Sequence, residues 1–253
     1  MKFNHIFYVL LSTCILNFSA CKKDPAPEIT EMGKLSIKFD NRVGDLSLVL
    51  NTQTYKNANG DDFTVSALKY YISNISLQKT DGSSITIPES YFLIDAADAT
   101  SIMPVVENIP ANDYKGISFT IGVDSLRNFS GVQTGVLDPA KGMFLSSNTG
   151  YIFVKMEGSS PQSTAVSNKL VFNIGGAKAP YNCIKKFNAT FPNTVRVRSD
   201  TQPKLHIMAD ISTLFKGSQT VSFGNKNTVQ GGIDALTISN NYVNGLFRLD
   251  HIH

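Results

Sequence analysis

The chain has 253 residues, 42% of them hydrophobic and 17% charged, with a formal net charge of +3. An ordinary apolar fraction and a low charge allow a sizeable buried core. The basic residues are scattered, with no basic helix and no aromatic-basic RNA motif, so no nucleic-acid partner is expected.

The N-terminus carries an export signal. Lys2 supplies a positive start, Ile6 to Leu16 an apolar run, and Phe18-Ser19-Ala20 small residues before Cys21. The run is too short for a permanent membrane span. Phe-Ser-Ala-Cys resembles the lipobox of bacterial lipoproteins, which implies cleavage before Cys21 and acylation of its thiol, with the lipid bilayer as partner. Lys22-Lys23-Asp24 resembles the charged signal after the lipid cysteine of surface-displayed lipoproteins of Bacteroidota. The expected address is therefore the outer membrane, facing the periplasm or the cell surface; the plainer reading is a secretory signal that happens to contain a cysteine. The expected layout is a signal peptide at 1–20, a lipidated cysteine and tether at 21–33, and one domain at 34–253. Cys14 leaves with the signal and Cys21 is consumed by lipid, so Cys183 stands alone and no intrachain disulfide is expected. It is expected to be a small buried hydrophobe.

Lys22 to Glu31, polar with two prolines, reads as an extended tether. Lys34 to Asp40 alternates strictly, with Leu35, Ile37 and Phe39 inward. Leu46 to Leu50 is expected as a second strand, and Phe63 to Gln78 as a long strand entering a hairpin at Asp81-Gly82. Ser84 to Pro88, Tyr91 to Asp95 and Tyr114 to Gly122 continue the sheet. Asp124 to Lys141 is a long irregular loop. Tyr151 to Glu157, bounded by Gly150 and Gly158, reads as a strand whose Ile152, Val154 and Met156 form an apolar face. Leu170 to Gly176, Asn193 to Arg198 and Lys204 to Asp210 are further strands, Ile211 to Phe215 one helical turn, and Tyr242 to His253 the last strand. No amphipathic helix of length is expected. Many short, mainly antiparallel strands with long loops predict an all-β domain, a β-sandwich or barrel-like fold.

Candidate ligands are few. His251 and His253, one residue apart on a strand, project from one face. They can share a Cu or Zn ion, with His206 as third ligand if its strand is adjacent. The plainer reading is a polar, frayed C-terminus and a His206 satisfied near the core. Asp61, Asp62, Asp95, Asp124 and Asp138 lie in or near turns and offer oxygens to a hard cation, although Asp is an ordinary turn residue. Met143 and Met156 offer soft sulfur, but methionines in an apolar strand are more often core filler. No Gly-x-Ser-x-Gly elbow, His-Glu-x-x-His helix or phosphate-binding glycine loop is present, so an enzyme is not expected.

Several ordered motifs carry a family resemblance. Lys69 to Ile75, Tyr91 to Asp95, Ile121 to Ser125, Gly135 to Pro139, Gly142-Met143-Phe144, Gly150-Tyr151 and Phe172 to Gly176 together resemble the MbnP-like family of exported copper-binding proteins. The resemblance runs from about Leu35 to about Phe215. It implies a β-rich domain that holds copper through histidine and an oxidised tryptophan. The chain departs from that pattern where it matters: Leu145 follows Gly142-Met143-Phe144 where the family has Trp, and Asn173 precedes Ile-Gly-Gly where the family has His. Leucine offers no donor atom, and a carboxamide is a poor copper ligand. Two readings follow. One is a non-enzymatic envelope lipoprotein whose family role is copper binding but whose usual site is degenerate. The other is a surface module that binds a glycan or protein without metal, using its tyrosines as stacking faces.

Overall fold

A computed structural model describes residues 31–217 and 219–253. The expected signal, the acylated Cys21 and nearly all of the tether lie outside the described residues. From Glu31 onward the chain forms one unit.

The alternation at the start of the domain makes its first strand, Met32–Val43, with Leu35, Ile37 and Phe39 buried on one side. Lys204–Asp210 lies parallel along one edge, and Phe247–Ile252 pairs antiparallel beyond it. Val105–Pro110 and Leu46–Ser47 pair with the first strand as well, completing a five-stranded sheet. The second sheet has ten strands around Asp62–Lys79: six in the order Lys185–Val197, Asn112–Ile121, Asp62–Lys79, Gly150–Ser159, Lys169–Gly175, Thr228–Gln230, and four short ones that pair off this path. The sheets meet through aromatic rings. Phe39 and Phe247 of the small sheet contact Tyr70, Phe119 and Phe187 of the large one, with centroids 5.3 to 6.2 Å apart. The architecture is the expected all-β sandwich, opened towards a half-barrel, with two parallel pairings among antiparallel ones.

The central strand departs from simple alternation. In Gly150–Ser159 both faces are buried at the start, since Tyr151 and Phe153 are as inaccessible as Val154 and Met156. Tyr151 packs edge-on against Tyr71 and Phe144. Phe153 lies over Gly122, where an added Cβ would sit 2.5 Å from the ring and φ is +113°. Only glycine leaves that space and accepts that backbone angle.

Other boundaries shift for identifiable reasons. The strand expected over Leu46 to Leu50 shrinks to Leu46–Ser47 because Val49 turns its N–H to the Tyr55 hydroxyl, 2.7 Å away. The expected last strand over Tyr242 to His253 is present but shortens to Phe247–Ile252, and an unexpected helix, Gly232–Tyr242, precedes it. Ala235, Ile238, Ser239 and Tyr242 form the helix's buried face at helical spacing. Ser239 and Asn241 are buried while Ile233 is exposed, so composition conceals the period.

Candidate metal centre

Lys204–Asp210 buries Leu205, Ile207 and Ala209 completely and turns His206 and Met208 to the outer face. In the next strand Leu205 faces Ile252 and His206 faces His251, but Ile207 faces Leu249. Asp250 is thus the extra residue of a β-bulge, a device that re-aims neighbouring side chains. Leu249 and Ile252 pack against the core, while Asp250, His251 and His253 stay accessible. The C-terminus is not frayed. The His253 N–H donates to the Lys204 carbonyl at 2.9 Å, and its own carbonyl accepts from the Lys204 N–H at 3.0 Å.

His206, His251 and His253 therefore converge. His206 and His251 stack with centroids 4.1 Å apart and planes 19° from parallel. His253 stands edge-on to both, at 5.0 and 4.7 Å. One ligand nitrogen from each lies within 4.8 Å of the others. The Nε2 atoms of His251 and His253 are 3.0 Å apart, close to the separation of two nitrogens each about 2.0–2.1 Å from one ion.

Two carboxylates back the cluster. Asp40 Oδ2 lies 3.2 Å from His206 Nδ1, and Asp250 Oδ2 lies 2.8 Å from His251 Nδ1. With Nδ1 protonated and donating, each carboxylate fixes the tautomer that leaves Nε2 free to bind a metal. Asp40 also pairs with Lys38 at 3.1 Å. Partial desolvation, with Lys204 and the two neighbouring imidazoles close by, holds the His253 imidazole below its ordinary value of 6.5. The shift is towards the neutral form, which is the form that binds a metal. Neither carboxylate was singled out by sequence reasoning. Asp250 had a local signal, its adjacency to His251; Asp40 reaches His206 only through the parallel pairing.

The remaining candidates disperse. Asp61 accepts from the Phe223 N–H, Asp62 pairs with Lys56 and Asp95 with Lys69. Asp124 caps the short helix Ser125–Asn128 and accepts from Tyr91, and Asp138 caps the turn Pro139–Lys141. Met143 and Met156 are fully buried core residues. Cys183 is free and buried, its thiol pushed up by that burial. Of the eight tyrosines described, Tyr55, Tyr70, Tyr71, Tyr114, Tyr151 and Tyr242 are buried, so the residues described offer no row of stacking faces.

Asn173 lies in the large sheet, whereas the histidines lie in the small one. Its Nδ2 donates to Gln230 at 2.9 Å, and its Oδ1 is buried without a partner. One amide oxygen and the donor-less Leu145 do not fit a copper ion, whereas three imidazoles do.

The MbnP family model matches residues 32–233. Among solved structures the chain is similar to MbnP from Methylosinus trichosporium, with a TM-score of 0.53 and 16% sequence identity, covering 79% of this chain and 83% of that one. At that identity the likeness is one of fold. No curated protein matches. His206 falls inside the matched segment, whereas His251 and His253 lie beyond its end.

Proposed function

This chain belongs to the MbnP family, and on that premise we propose that it is a non-enzymatic envelope lipoprotein that binds copper through His206, His251 and His253. The observation that carries this reading is the convergence of three imidazoles, two of them backed by carboxylates. The copper role comes from the family; the ligands come from this chain. Its small sheet supplies nitrogen donors where its large sheet lacks the family's Trp and His. Divalent copper stands highest in the affinity order for such a nitrogen site. His206 and His251 hold the ion in fixed tautomers, and His253 completes the set from the paired end of the strand. Copper here is cargo.

The backing carboxylates give a graded test. Asp40→Asn and Asp250→Asn are each expected to lower copper affinity by about 10–100-fold, the usual effect of losing an outer-shell partner. Competition titration against a chromophoric chelator measures this. Affinities within twofold of wild type in both variants would remove the carboxylates from the account.

The anchor is tested separately. Cys21→Ser is expected to move the protein from the membrane fraction to the soluble fraction. Unchanged partition would show that Cys21 is not the lipid attachment site.

A further inference from the structure

Three protein nitrogens do not complete the coordination of a divalent copper or zinc ion. A fourth position stays with solvent or an outside ligand. Here that position has a defined neighbourhood. His251 and His253 are exposed on a strand at the edge of its sheet. They line a groove of about 690 Å³, whose other wall is formed by residues 192–196 and 201–203.

The lining of this groove carries one cation and one carboxylate. Arg196 lines it, is exposed, and has no carboxylate within ion-pair distance among the described residues. Asp250 is the acidic residue of the lining, and its Oδ2 is already held by His251 Nδ1 at 2.8 Å. A divalent ion held by the histidines tips that balance to net positive, with Arg196 in the same groove. An anionic oxygen donor is the chemistry that such a groove selects.

We propose, resting on the copper reading above, that the metal at the three-histidine centre keeps one position open to this groove. There it takes a carboxylate of a small external dianion, whose second anionic group pairs with Arg196. Binding is a ligand substitution: the carboxylate oxygen replaces a solvent molecule on the ion, and no electron is transferred.

The test uses the copper(II)-loaded mature protein, with azide, acetate and succinate as probes. Azide is expected to add a charge-transfer band and to change the electron paramagnetic resonance spectrum. Succinate is expected to bind about fivefold more tightly than acetate, a preference that falls to about one in Arg196→Gln, the scale of one exposed charge pair. A copper spectrum unmoved by azide would show a closed site and overturn the proposal while leaving the copper reading intact. An unchanged succinate preference in Arg196→Gln would overturn the assignment of Arg196. Absence of copper uptake would overturn the premise and the proposal together.

Discussion

Replacing His251 and His253 together by alanine is expected to lower copper affinity by more than about a hundredfold, beyond the 10–100-fold range of outer-shell changes. The double variant leaves one imidazole, His206, on the small sheet. It also removes the two nitrogens that stand 3.0 Å apart. Folding should be untouched, since both side chains are exposed and the pairing of His253 with Lys204 uses backbone atoms. Exposed positions of this kind change stability by about 0.5 kcal/mol or less. Calorimetric titration of the wild type and the double variant, at equal thermal stability, measures the effect. Tight binding retained in the variant would place the copper ligands elsewhere and end the present assignment.

The largest expected loss of stability comes from Phe39→Ala, about 3–5 kcal/mol. Phe39 is 1% exposed and lies where the two sheets meet. Its ring sits 5.8 Å from Tyr70 and 6.2 Å from Phe119 in the large sheet, and 5.7 Å from Phe247 in its own. Truncation removes the buried area and opens a cavity that neighbouring rings, pinned by their own contacts, fill only in part. The Tyr70 hydroxyl, for example, is held by Asn41 at 2.9 Å. Urea unfolding should show a lower midpoint with an unchanged slope. A loss below about 1 kcal/mol would mean that the site collapses freely, against the packing described.

How far the sequence discloses this molecule depends on the kind of contact. Strands with one buried face announce themselves: the alternation of Leu35, Ile37 and Phe39, or of Leu205, Ile207 and Ala209, reads directly as an inward row. The class of fold follows from many such rows. The helix Gly232–Tyr242 does not announce itself, because polar Ser239 and Asn241 occupy its buried side. The site is divided in the same way. The same-face projection of His251 and His253 is a property of local spacing. The arrival of His206 beside them, and of Asp40 behind His206, depends on pairing between strands distant in sequence: Asp40 and His206 are 166 positions apart. The bulge at Asp250 is equally invisible, since nothing in Leu-Asp-His-Ile marks which residue lacks a partner. The departures at Leu145 and Asn173 from the pattern that the family resemblance implies are legible in the sequence; the histidine cluster elsewhere in the fold is legible only in part.

The most direct test of a relocated copper centre is X-ray absorption spectroscopy of the copper-loaded mature protein. Three imidazole nitrogens at about 2.0 Å, a lighter oxygen contribution and no sulfur are expected. In His251→Ala/His253→Ala the imidazole scattering should fall to that of His206 at most. A sulfur shell, or a spectrum that the double substitution leaves unchanged, would contradict the assignment and direct attention to Cys183 or the buried methionines.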